Sequence, residues 1–523
     1  MEKVVNKPWL QWFKENSVTT ELTECSIYKL LERTTNKYPE RTAIIFNDEF
    51  CNYSTLKTSV DKLAGTWQEI GLKKGDRIGL MMSNHPLYIV SYYAAHALGL
   101  IVVQVNPLYT FRELIRISEN SQMQYIVYDK TASPTVQAVK KLYEFTQCFS
   151  IEKEEGFMSL DSLIENGVEI RTIEEIYPNE DIAVIQYTGG TGGDMKGVML
   201  THSNLTSNVS QGYEMYGIEN AKEAVVLTAT PLYHVYAMTS AMNLSIFMGA
   251  SILLIAKFDV QIVLDSIRKY KPSFFPGVPK MYSAFINFQN IQRYDLSCLK
   301  YCTCGSAPLP IEVIKRFKEL SGVMIAEGFG LSEASPTTHR NPVWGKQKVG
   351  SIGVPIRDTD CKIIDEDDYE LGPNVVGELL IKGPQIMKGY WNNEIETKKA
   401  LQNEWLHTGD LAMMDEEGYF FIVGRKKELI IINGFNIYPQ EVEEVLYEYP
   451  DIQEVAVIGI VRDNSEEVIK AFIVPKTGVT LDLEVIKQFC CQKLAPYKVP
   501  KLFVIIKELP RNTVGKILKR LLN

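Results

Sequence analysis

The sequence predicts an α/β multidomain protein: a large N-terminal domain of parallel α/β subdomains plus a small β unit, then a small α+β C-terminal domain. Three observations predict it. At 523 residues the chain is too long for one core of ordinary size. Its first half alternates apolar, β-branched runs with helical stretches, a rhythm that implies parallel sheet covered by helices. After Asp360, and again after Gly424, the pattern changes.

In chain order, Asp76–Met82 reads as a strand, Leu87–Leu98 as an apolar helix, and Leu100–Val105 as a strand ended by Asn106-Pro107. Gln124–Tyr128, Ala224–Ala229, Ser251–Ile255 and Phe274-Phe275 continue the series. Cys361–Ile364, Gly377–Ile381 and Tyr419–Val423 are short runs amid dense turn signals, as in a small antiparallel unit. Beyond Gly424, Glu441–Tyr449 and Leu483–Leu494 read as helices, Val455–Gly459 and Ala471–Val474 as strands. That divides the chain into residues 1–424 and 425–523. No Gly/Ser-rich linker separates them, so the joint is expected to be a tight hinge near Arg425–Lys427.

Composition narrows the function. Fifty-five Lys and Arg against 64 Asp and Glu give a formal charge of −9, which argues against a nucleic-acid binder. The nine cysteines show no zinc-site or CxxC spacing, and their odd number fits reduced thiols in the cytoplasm. The two most apolar stretches, Leu87–Val105 and Ala241–Ala256, are interrupted by His96, Gln104 and Gly249. Each reads as a buried helix and strand, not a membrane span. Peripheral membrane contact through a local basic patch stays compatible with the acidic total.

The segment with most chemical content is Gln186-Tyr-Thr-Gly-Gly-Thr-Gly-Gly-Asp-Met-Lys-Gly-Val198. Five glycines after an apolar run let backbone N–H groups turn inward on an anion. Thr188, Thr191 and Lys196 add hydroxyls and a positive charge. Met195 before the lysine and Gly197 after it exclude a Walker A loop. A plain glycine-rich turn between a strand and a helix is the alternative.

Further along stand Gly328-Phe-Gly-Leu-Ser-Glu333, Trp405-Leu-His-Thr-Gly-Asp410, Gly424-Arg-Lys-Lys-Glu-Leu429, Asn433-Gly-Phe-Asn-Ile-Tyr-Pro439 and Pro510-Arg-Asn-Thr-Val-Gly-Lys516. In this order and near these separations they resemble the adenylate-forming superfamily. With Pro231-Leu-Tyr-His234, the chain looks most like its long- and medium-chain fatty acid:CoA ligases. The resemblance implies ATP-driven formation of an acyl-adenylate and transfer to CoA, releasing AMP and pyrophosphate.

By that resemblance Thr188, Gly189, Gly190, Thr191 and Lys196 would hold the terminal phosphates. Glu333 would bind Mg²⁺, which takes one or two carboxylates plus phosphate oxygens. Ser332, in place of the commoner threonine, would keep a hydroxyl for the α-phosphate. Gly305, Ser306 and Ala307 would face adenine, with Gly328, Phe329 and Gly330 offering a flat apolar surface. Asp410 would accept both ribose hydroxyls, as a two-oxygen carboxylate suits a diol. Arg425 would reach the ribose–phosphate, and Lys516 would bridge acyl carboxylate and α-phosphate. His234 would flank the acyl carboxylate. The family alternates two poses by rotating the small domain. Lys427 matches its hinge, and Gly434 would line the pantetheine tunnel after the rotation. One departure stands at Gly192, where the family carries threonine.

The acyl pocket is expected behind Val235, Met238, Phe274, Phe275, Gly277 and the Gly305–Ala307 loop, all small or apolar. An acyl carrier protein as acceptor, an aryl acid as substrate, and a nucleotide binder without catalysis are the rival readings. Monomer and homodimer both remain open.

Overall fold

The structure, a computed structural model, describes residues 7–16, 24–154, 157–189, 195–217, 221–343, 345–432, 435–461, 467–511 and 516–522. Two large mixed sheets and a small antiparallel one make up the N-terminal part. The first large sheet has eight strands, six of them parallel: Ile182–Gly189, Ile101–Gln104, Arg77–Met81, Tyr125–Tyr128, Gln147–Ser150 and Met158–Ser159. Met195–Thr201 and Gly389–Tyr390 close one edge antiparallel. The second has nine strands, with a parallel middle running Ile325–Gly330, Tyr301–Cys304, Phe274–Gly277, Val225–Thr228, Ser251–Leu254 and Thr42–Phe46. The predicted parallel α/β rhythm is therefore present, with antiparallel strands added at the edges.

The main core lies between these sheets and draws on both, as in Ile78, Val102 and Val184 from one and Ile44, Val226 and Ile252 from the other. The helices Tyr53–Ile70, Pro86–Ala97 and His202–Glu214 contribute buried apolar residues to the same core. In Pro86–Ala97 every residue after the initial proline is buried. A helix covered all round has no polar face to keep, which is why its sequence approaches membrane hydropathy. Among the described residues no helix is long and apolar enough to cross a membrane. The second apolar stretch, Ala241–Ala256, falls across a turn of π-helix (Met238–Asn243) and the helix Leu244–Met248. Gly249 ends that helix in the left-handed region (φ 69°), before the strand Ser251–Leu254.

The antiparallel unit comprises Asp360–Ile364, Gly377–Lys382, Trp405–Met414, Leu401–Gln402 and Phe420–Arg425. It packs over Trp9, Ile352, Ile356 and Tyr419. Beyond Arg425, a single turn (Lys426–Glu428) leads to the pair Ile430–Ile432 and Phe435–Ile437. The helices Pro439–Tyr447 and Leu483–Lys493 follow, with a three-stranded sheet of Ile452–Val461, Glu467–Pro475 and Leu502–Ile505. These share a separate core around Ile437, Val442, Val457, Ile473 and Ile486. All nine cysteines are free thiols.

Candidate functional site

A cleft of about 1660 Å³ is lined from both parts of the chain. That is larger than the usual small-molecule pocket of ~300–1,000 Å³ and leaves room for a nucleotide and a second reactant. Of the predicted residues, Thr188, Lys196, His234, Gly305, Ser306, Gly328, Phe329, Gly330, Ser332, Glu333, Arg425, Lys427 and Lys516 all line it.

At one end, the glycine-rich loop joins two antiparallel strands, with Thr188 directly opposite Lys196. The alternative of a plain turn between a strand and a helix is not what the fold has, because the strand that follows pairs back on the one before. The next helix starts only at His202, where Thr201 and Asn204 form a reciprocal cap. Gly190 and Thr191 lie outside the described residues. Gly189 ends its strand. The Lys196 ammonium forms an ion pair with Glu396 and lies 4.9 Å from the centre of the Tyr390 ring. Tyr390 in turn donates its hydroxyl to Glu333 Oε1 at 2.8 Å. Tyr390 sits there because its short strand pairs with Met195–Thr201 and the Trp391 N–H donates to Gly197 O at 2.7 Å.

At the other end, the strand Ile325–Gly330 runs beside Tyr301–Cys304 and brings Phe329 near Gly305 and Ser306. Gly330 has no room for a side chain: a Cβ there would lie 2.1 Å from Pro336 O. Ser306 holds φ 74°, so the loop turns sharply beside the cleft. Phe329 also packs edge-on to His339, with ring centroids 6.1 Å apart, so it serves core and cleft together. Ala307 is not among the lining residues.

Asp410 lies just behind the cleft surface, 2% exposed. It pairs across the strands with Arg425, whose Nε is 2.8 Å from Oδ1. Asp410 Oδ2 is buried with no hydrogen-bond partner among the described residues. Burial pushes this carboxyl up to about 6, against the opposing pull of Arg425 and Lys516.

Lys516 comes from the far end of the chain. Its ammonium is shifted down by burial and by Arg425 and Lys427, and drawn the other way by Asp410 and Glu428. Burial, and then Lys516, hold His234 down at about 4, so its imidazole is neutral near pH 7. His234 Nδ1 accepts from the Tyr236 N–H at 3.4 Å, capping a short helix. Lys427 is shifted down by burial and by Arg425 and Lys196. Four cations from three distant segments therefore feel one another across the cleft. Like charges held this close favour a bound polyanion. Gly434 lies outside the described residues.

The residues expected behind the acyl pocket divide into two groups among the described residues. Val235, Gly305 and Ser306 line the cleft, whereas Met238, Phe274, Phe275 and Gly277 do not. Phe274 stacks on Tyr301 at 4.6 Å, and Phe275 packs against Tyr282 and Phe285. A Cβ on Gly277 would lie 2.8 Å from the Tyr282 ring. A central parallel strand is covered on both faces, so its apolar residues fill cores instead of opening a channel. Conversely, Tyr390, Glu396 and Lys399 line the cleft and went unread. The only signal was the Gly389-Tyr-Trp391 run, which carries no chemistry until it is placed beside Lys196.

Three comparisons with known proteins place the chain in a family. The profile of the AMP-binding enzyme family matches residues 31–391, and that of the AMP-binding enzyme C-terminal domain matches residues 441–516. The chain is 42% identical to a long-chain-fatty-acid–CoA ligase of Bacillus subtilis, over 98% of this chain and 97% of that one. It is 36% identical to a protein of the same name from Escherichia coli O6:H1, over 99% and 98%. The solved structure of the anthranilate CoA ligase AuaEII with anthranoyl-AMP superposes with a TM-score of 0.90 at 25% identity, covering 96% of this chain and 97% of that one. Two profiles in chain order and near-complete relatives agree: the chain belongs to the AMP-binding enzyme family.

Proposed function

We propose that this protein is a fatty acid:CoA ligase that forms an acyl-adenylate from ATP and then an acyl-CoA, releasing pyrophosphate and AMP. One observation carries the reading. Lys516, Arg425, Lys427 and Lys196 converge on a single cleft beside a buried carboxylate, one oxygen of which has no partner among the described residues. Near-complete relatives named long-chain-fatty-acid–CoA ligases support the substrate class.

In this reading Lys196 and the hairpin take the terminal phosphates, and Ser332 donates to the α-phosphate. Asp410 Oδ2 accepts from the ribose, and Phe329 lies against adenine. Lys516 bridges the acyl carboxylate and the α-phosphate, so that charge developing during attack meets a fixed cation. Neutral His234 flanks the same carboxylate without competing for the charge. Glu333 fits a Mg²⁺ ion: it is one carboxylate in a cleft for phosphates, held in place by Tyr390. When bound, Mg²⁺ neutralises phosphate charge.

The two parts, residues 1–424 and 425–523, then act as one body and a small domain turning about Lys427. The turn withdraws Lys516 and admits the thiol. A domain that moves a lysine in and out lets one site run two half-reactions.

The test is pyrophosphate release with Mg-ATP across straight-chain acids, with and without CoA. Release that peaks at one chain length and turns over only with CoA is expected. Adenylate that accumulates regardless of CoA would assign a carrier-protein acceptor instead, and silence across the panel would remove fatty acids as substrate.

A further inference from the structure

Lys196 is not waiting in an open cradle. Its ammonium is held by the Glu396 carboxylate, and the other oxygen of that carboxylate accepts from Lys399 at 2.7 Å. Both partners are about 30% exposed in the first pair. Glu396 stands on the helix Glu394–Ala400, whose cap is Asn393: its Oδ1 accepts the Glu396 N–H at 3.1 Å. Glu396, Lys399 and Asn393 all line the cleft. The two lysines keep the carboxylate well below the ordinary range, at about 2, so it is an anion at every working pH. An anion thus sits on the cation assigned to the terminal phosphates.

We propose that Glu396 is a gate on the polyphosphate site: its carboxylate occupies Lys196 in the empty enzyme, swings to Lys399 when the triphosphate arrives, and returns to help expel pyrophosphate. This rests on the reading that Lys196 meets the terminal phosphates. The exchange needs only a side-chain rotation, because Lys399 lies three residues on along the same helix face and already holds the second oxygen. A partly exposed pair costs little to open, so the gate tunes phosphate affinity without closing the site.

Titration calorimetry of the full-length protein with magnesium pyrophosphate tests this. Glu396→Gln should bind pyrophosphate about threefold more tightly than the wild type, the scale of one partly exposed ion pair. The KM for ATP should fall by a similar factor with no rise in kcat, and the gap should narrow as salt screens the pair. Glu396→Ala should move the same way, with an unchanged Tm. Unchanged or weaker pyrophosphate binding in both variants would overturn the gate; weaker binding would mark Glu396 as a metal ligand. Lys196→Ala separates the underlying reading. If it leaves pyrophosphate affinity intact, Lys196 is not a phosphate contact and both proposals fall. If it loses affinity while Glu396→Gln gains none, only the gate falls.

Discussion

Arg425 Nε lies 2.8 Å from Asp410 Oδ1, while Asp410 Oδ2 is buried with no hydrogen-bond partner among the described residues. Leaving a buried acceptor unmet costs roughly 1–3 kcal/mol, which a ligand hydroxyl would recover. Asp410→Asn should therefore raise the KM for ATP about tenfold, since bonds to charged groups contribute roughly 1.5–3 kcal/mol. An unchanged ATP dependence would remove Asp410 from the ribose site. The pH profile gives a second check. The folded carboxyl is raised to about 6, so the acceptor is present above that pH and lost as pH falls through it. The KM for ATP should climb below about pH 6. This carboxyl by itself stabilises the fold on protonation, because the charged form is the one burial disfavours, so the KM is read at a pH where the folded fraction is measured alongside it.

Acid should destabilise the protein through its core histidines. His202 and His339 are held neutral at about 3 by burial, and His96 is also shifted well below the ordinary value. His96 and His202 pack with ring centroids 5.1 Å apart, and neither His96 nitrogen has a hydrogen-bond partner among the described residues. Their folded values lie below the unfolded one, so the stability they contribute is complete above about pH 6.5 and is lost as pH falls. Each such histidine costs about 1.4 kcal/mol per pH unit below that point. Urea unfolding midpoints should drop steeply between pH 6.5 and 5. A flat profile would show that these rings find water or a partner on protonation.

Lys516→Ala should cut adenylate formation by about a hundredfold or more, the scale of removing one donor from developing charge. Thioester formation from supplied acyl-adenylate should be spared. Pyrophosphate exchange and the isolated second half-reaction separate the two. Equal loss in both would contradict the withdrawal of Lys516 by domain rotation.

Tyr390→Phe removes the hydroxyl that orients Glu333 while keeping the ring under Lys196. The Mg²⁺ concentration for half-maximal activity should rise about fivefold, as for one lost hydrogen bond of about 1 kcal/mol. An unchanged Mg²⁺ dependence would detach Glu333 from the metal.

The chain's elements and motifs were legible in the sequence because they rest on short-range physics. Alternating apolar runs mark strands and helices, and glycines mark places where the backbone is approached too closely for a side chain, as at Gly330. Local order sufficed to name Lys196, Glu333, Asp410 and Lys516 and to bring out the family resemblance. Only the tertiary structure decided which groups meet and which apolar residues line space. Tyr390 and Glu396 reach Lys196 from about two hundred residues away, through strand pairing at a sheet edge. Phe274 and Phe275 look like pocket residues in sequence but are consumed by the packing on either side of their strand. The reason is the same in both cases: a side chain's type is local, whereas its neighbours are set by close packing of segments far apart in the chain.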